Sequence, residues 1–264
     1  MLAYAGPRFS RDVPPKHGLA GLGTVSLAAF AVVACQVVAV AAGVQTGAIL
    51  NACLVAGLAL AASAGRGTES SRTAYLLLSL LPLLALSRLV MPQNSFRSDL
   101  WELVVALPLV AGSIVFVFIV NPTELWAARS SASLRWQLVI ASLGVPTGLF
   151  VFGIAYGLGE RGGGSEPGVV PAVVLFVAGV VDELVFRGVL QRSLEPIYGN
   201  GAFIIAALLY TAMLLGSSAV AVAFGGLLGL VFGYLVMRRN VLLAVAVAHG
   251  LVNVVWLVVA PDVF

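Results

Sequence analysis

Five side chains able to do acid–base or polar chemistry sit in stretches that are otherwise apolar. Asp182, Glu183 and Arg187 close the run GVVPAVVLFVAGVVDELVFR, and His249 and Asn253 lie in AVAHGLVNVVW. Each set has its own spacing. Glu183 and Arg187 are four residues apart, as are His249 and Asn253, so on a helix each pair shares one face. Asp182 points about 100° away from Glu183 and finds no partner within its own helix. Groups of this kind in an apolar run must pair with one another, snorkel to an interface or line a polar cavity. The insertion cost of a charge at a bilayer centre is about 2.5–3.5 kcal/mol. Glu183 and Arg187 are expected to form an ion pair, with the long stem of Arg187 reaching towards the interface. By depth, His249 and Asp182 are expected to meet across a helix interface.

The elements that must position these groups are membrane helices. Hydrophobic residues make up 61% of the 264-residue chain and charged residues only 9%, and mean hydropathy is +1.07. Soluble domains carry about a quarter charged residues, so this chain cannot clothe a water-facing surface. Nine apolar stretches approach the length needed to cross a core of about 30 Å. They cover approximately 19–43, 46–64, 74–91, 103–121, 137–159, 169–190, 202–216, 219–237 and 241–260. The seventh is short, which leaves a count of eight open. None shows the two-residue alternation of a barrel strand. The expected fold is all-α, a polytopic bundle of eight to nine transmembrane helices.

Positive charge sets the orientation. With the N-terminus in the cytoplasm and nine crossings, Arg8, Arg11, Lys16, Arg66, Arg72, Arg129, Arg135, Arg192, Arg238 and Arg239 fall inside, against Arg97 and Arg161 outside. The C-terminus, with Asp262, is then outside. The net charge of +3 follows from this topology and gives no ground for nucleic-acid binding. A multi-pass protein of a bacterial-type cytoplasmic membrane is expected.

The chain divides by content. Residues 1–18 form a polar tail. Residues 19–159 hold five helices with almost no motif, interrupted by NPTELWAARSSASLRW at 121–136, whose interleaved Trp and Arg suit an interfacial helix. After ERGGGSEPG at 160–168, residues 169–260 hold four helices and nearly all the intramembrane polar groups. Gly225, Gly229 and Gly233 strip one helix face for close approach, and Gly153 and Gly157 are expected to do the same on another. Cys35 and Cys53 read as small apolar fillers. The VVAC that ends at Cys35 resembles a lipoprotein box, but the apolar residues that follow argue against lipidation there.

The last four helices resemble the CAAX-protease and bacteriocin-processing (CPBP, or Abi) family of intramembrane endopeptidases. Its first motif, two acidic residues, three others and Arg, is matched by Asp182, Glu183 and Arg187. Its last motif, His, three others and Asn or Asp, is matched by His249 and Asn253. Between them FGGLLGLVFGYLVMRRN is similar to the family's Gly-rich helix with a basic end. The middle motif, an aromatic, three others and His, falls on Tyr210 and Leu214, so the histidine is missing. The chain has two histidines in all, and the other is His17.

The resemblance implies that the first acid and the middle His activate a water for peptide hydrolysis, with the last His and Asn stabilising the oxyanion. A general base must come within roughly 3 Å of that water. Asp182 is one methylene shorter than the family's Glu, and Leu214 can neither hold a proton nor ligate a metal. Zinc is not expected with a single intramembrane His, since such sites use three protein ligands, and no other cofactor is implied.

The reading this favours is a catalytically inactive relative, in which the five residues tie helices together. Such a protein acts as a scaffold or accessory subunit of a larger membrane assembly, with respiratory, light-harvesting or secretory complexes as hosts. The alternative is an active endopeptidase using Asp182 or Glu183 with His249 on a prenylated or leader peptide. An ion carrier fits less well, because the acids cluster on one helix and no broken-helix repeat is present.

Overall fold

The computed structural model describes residues 19–64, 74–76, 78–79, 81–82, 132–160 and 168–260. Among these residues all regular structure is helical. In order, α1 is Leu19–Ala42, α2 Val44–Ser63, α3 Leu134–Ser142, α4 Gly144–Gly157 and α5 Val169–Glu183. A π-helical segment Leu184–Gln191 continues α5 into α6, Arg192–Tyr198. Then come α7, Ala202–Met213, α8, Ala219–Arg239, and α9, Leu242–Val254, which ends in a second π-helical segment, Val255–Val259. Among the described residues, five helices are long and apolar enough to cross a membrane: Gly23–Ala42, Gln45–Ser63, Leu134–Gly157, Ala219–Arg239 and Leu242–Val259. The apolar stretch at 103–121, the tail 1–18 and Asp262 lie outside the described residues, as does most of the 121–136 segment. Its last residues, Leu134, Arg135 and Trp136, begin the helix that runs on to Gly157.

Two departures from the sequence pattern matter for the site. The helix predicted over 169–190 runs on to Tyr198, where Gly199 (φ 55) turns the chain. Its neighbour α7 has 12 residues, about 18 Å at helical rise, and is too short to cross a bilayer alone.

Packing is by close backbone approach, as expected where lipid offers no hydrophobic drive between helices. A Cβ on Gly179 of α5 would lie 2.8 Å from the Gly250 amide nitrogen of α9, and one on Gly250 would lie 2.7 Å from the Phe176 ring. These two glycines let α5 and α9 touch. The glycine face of α8 behaves as predicted: Gly225 lies against Leu214, Gly229 against Arg187, and Gly233 against Gln191 and Phe203. Gly153 and Gly157 do not, since a Cβ there meets nothing within 4 Å among the described residues. Gly144 and Gly148 carry the close contact of that helix instead, against Ala248, Leu251, Val252 and Val255 of α9.

The N-terminal helices are not set apart from the C-terminal four. One apolar cluster joins Val25 and Val32 of α1 and Leu58 of α2 to Phe186, Leu190, Leu209 and Tyr210. The Ser26 hydroxyl also lies 2.8 Å from that of Tyr198. Within the hairpin, the Gln36 amide donates to Asn51 Oδ1 at 2.8 Å in a buried bond. Cys35 is buried but Cys53 is exposed on the bundle's outer side, so only the first fills a protein interior.

Candidate functional site

The site forms where α5 changes pitch. From Leu184 the backbone widens into a π-helix, a rare form concentrated at functional positions. All seven residues from Val185 to Gln191 are buried, so this segment is the axis of the C-terminal bundle, in contact with α7, α8 and α9. A helix apolar nearly all round must be enclosed, and the polar residues on it are enclosed with it.

Glu183 and Arg187 are both 0% exposed. Glu183 Oε1 lies 3.2 Å from Arg187 Nη1 and 2.7 Å from His249 Nδ1. On the other side of the imidazole, Nε2 lies 3.2 Å from the Tyr210 hydroxyl. With a proton on Nδ1, the ring donates to Glu183 and Nε2 accepts from Tyr210. The network therefore runs from α7 through α9 to α5. One turn further along α9, Asn253 Nδ2 donates to the Leu175 carbonyl at 3.4 Å. His249 and Asn253 thus both face α5, as their spacing requires.

Two sequence expectations are corrected here. His249 takes Glu183 as its carboxylate, not Asp182. Asp182 is half-buried on the adjacent face of the helix, as the 100° step between neighbours dictates. Arg187 does not snorkel. Eleven helical residues follow it to Tyr198, about 16 Å of helix, beyond the reach of its side chain. It folds inwards, with Cζ 4.8 Å from the centroid of Tyr210 and 5.9 Å from that of Phe186.

The network leaves polar atoms over. Glu183 Oε2, all three guanidinium nitrogens of Arg187 and Gln191 Oε1 are buried with no hydrogen-bond partner. For Arg187 the carboxylate and two aromatic faces replace hydrogen bonds. A desolvated cation over a ring gains about 2 kcal/mol or more. Gln191 is a member that the motif reading missed. It is 0% exposed, and its Nε2 donates to the Gly233 carbonyl at 3.1 Å. Its signal was available, because Gln191 follows Arg187 by four and Glu183 by eight in an otherwise apolar run.

Tyr210 and Leu214 fall on opposite sides of the chemistry. Tyr210, 4% exposed, joins the network through its hydroxyl. Leu214, just past the end of α7, is packed against the first core cluster, with Cδ1 in the space that a Cβ on Gly225 would take. Among the described residues no group of three or more His, Cys, Asp or Glu is placed to hold a metal.

Residues 165–255 match the family model described as type II CAAX prenyl endopeptidase Rce1-like, a CPBP domain. The match covers the π-helical segment, α7, α8 and the His249–Asn253 face. No curated protein and no solved structure matches the chain.

Proposed function

We propose that this is a catalytically inactive CPBP-like integral membrane protein that works through its surfaces, as a scaffold or accessory subunit of a larger membrane assembly. The observation that carries this reading is the filled middle-motif position. Leu214 sits with Cδ1 over Gly225, where the resemblance calls for the histidine that would activate water. Both nitrogens of His249, the motif histidine that remains, are engaged, one by Glu183 and one by Tyr210. Glu183 in turn is enclosed and shared between a guanidinium and an imidazole. Its Oε1 is committed to both partners, and Oε2 is enclosed beside them.

In this reading the chain has eight to nine crossings, the N-terminus in the cytoplasm and the C-terminus outside, in a bacterial-type cytoplasmic membrane. Partners are other integral subunits of a respiratory, light-harvesting or secretory assembly. Purification of the full chain in mild detergent tests the reading. A stoichiometric membrane partner, and intact prenylated and leader peptides after incubation with the pure protein, are expected. Cleavage of either peptide that disappears in Asp182→Ala and His249→Ala would overturn it in favour of an active endopeptidase.

A further inference from the structure

Three side chains of the axial helix end on atoms that the network does not use. Glu183, Arg187 and Gln191 follow one another at a spacing of four, and each is 0% exposed. The carboxylate and rings around Arg187 answer its charge, but a guanidinium also carries five N–H donors. Its Nε, Nη1 and Nη2 are buried without a hydrogen-bond acceptor, and Gln191 Oε1 is buried without a donor. Enclosed polar atoms are nearly always satisfied, by protein or by ordered water.

The glycines of α8 show where two of these atoms lie. A Cβ on Gly229 would stand 3.0 Å from Arg187 Nη2, and one on Gly233 would stand 3.1 Å from Gln191 Oε1. Positions four apart on a helix have Cβ sites about 5–6 Å from one another. A donor and an acceptor therefore flank one strip of α8 that carries no side chain, without bonding each other. The amide of Gln191 is held in this orientation. Its Nε2 donates to the Gly233 carbonyl at 3.1 Å, and Oε1 in that place would face another oxygen.

Helix α7 closes the strip. Ala207 Cβ lies 3.4 Å from the Cβ position of Gly229, and the Phe203 carbonyl oxygen lies 3.6 Å from that of Gly233. A carbonyl oxygen has two lone pairs, so the helical bond of Phe203 leaves one for a further donor.

We propose that a buried water molecule binds at this junction of the π-helical segment, α7 and α8. It accepts from Arg187 Nη2 and donates to Gln191 Oε1 and to the Phe203 carbonyl. Three bonds are the usual complement of an enclosed water. Two hydrogen bonds of about 2.8–3.0 Å each bridge atoms set along a strip of that length. The chemistry selects water over an ion. Arg187 is already paired with Glu183 at 3.2 Å, so an anion or a cation would enter with no charge left to hold it. The site also selects a small ligand, since even a methyl on either glycine crowds the polar atoms. The bound water links α8 to the guanidinium, whether or not the protein cleaves peptides.

The test uses the full chain with isotope-labelled arginine in phosphatidylcholine bilayers, observed by solid-state NMR. The guanidinium signal of Arg187 is assigned by its absence in Glu183→Leu/Arg187→Met. Magnetisation transfer between the Arg187 N–H protons and a retained water is expected. Gln191→Met keeps the volume and removes Oε1, and the transfer should be lost. A native chain without transfer overturns the proposal. Undiminished transfer in Gln191→Met overturns it too, by placing the water elsewhere on the guanidinium. Should that variant fail to fold, a crystal structure of the native chain that resolves ordered solvent decides the matter. Water density at about 2.7–3.2 Å from Nη2, Oε1 and the Phe203 carbonyl is expected there. A direct Arg187–Gln191 bond, or an ion in that place, overturns the proposal.

Discussion

Removing Arg187 tests whether the charges of the axial segment form one unit. In Arg187→Ala the guanidinium leaves a site where both partners are 0% exposed, and Glu183 keeps only His249. Removing one member of a buried ion pair costs about 3–5 kcal/mol, because the remaining charge is uncompensated. The aromatic contacts of Arg187 are lost with it. That loss is of order 2 kcal/mol, but it belongs to the same network and does not simply add. A total near the upper end of the range is expected. At about 2–4 °C per kcal/mol for a chain of this size, the unfolding midpoint in mild detergent should fall by roughly 10–20 °C. The decisive comparison is Glu183→Leu/Arg187→Met, which removes both charges and keeps volume. Replacing a buried pair with apolar residues is often neutral or better. The double variant then owes only the stranded His249 Nδ1, about 1–3 kcal/mol. It should be more stable than either single variant. An unchanged midpoint in Arg187→Ala, or a double variant no better than the singles, would refute the ion-pair assignment.

Two further changes probe the flanks of the network. Tyr210→Phe removes the hydroxyl from His249 Nε2 and leaves a buried acceptor unmatched, at a cost of about 1–3 kcal/mol. The same method should show a lower midpoint with helical content unchanged, and an equal midpoint would show that this bond carries no weight. Gly225→Ala drives a methyl into Leu214 Cδ1 and should cost about 1–3 kcal/mol as overpacking. Adding Leu214→Ala should recover part of that loss, and an additive double variant would mean that the two residues do not touch.

Much of the fold could be read from composition, because charge depletion and apolar run length leave few alternatives to membrane helices. The pairs Glu183–Arg187 and His249–Asn253 were also legible, since a spacing of four fixes a shared face whatever the surroundings. What the sequence could not supply was depth and pitch. Arg187 looked close to an interface because the apolar run ends near it, yet RSLEPIY continues the helix with polar residues and carries the arginine inwards. The π-helical segment has no composition of its own and depends on tertiary packing. Choosing Asp182 for His249 rested on depth alone, and a one-residue step turns a side chain by about 100°. Gly153 and Gly157 had the right spacing but no neighbour, because spacing reports that a face is bare and not what approaches it.

The polar network has a structural role that stability alone does not explain. A buried carboxylate, guanidinium and imidazole do no better energetically than well-packed apolar side chains. The α5–α9 contact shows what they add. It is built on Gly179 and Gly250, where a Cβ on either would come within 3 Å of the facing helix, so the glycines already limit the register. A slide of α9 by one turn, about 5.4 Å, would bring a residue with a Cβ, such as Ala246 or Val254, to the place of Gly250 against Phe176. It would also carry His249 away from Glu183 and Asn253 away from the Leu175 carbonyl, leaving enclosed polar groups unpaired. Each of those groups costs about 1–3 kcal/mol, more when charged, which adds to the steric penalty at the glycines. Tyr210, His249 and Glu183 therefore tie α7, α9 and α5 to one another, contacts that require no catalysis.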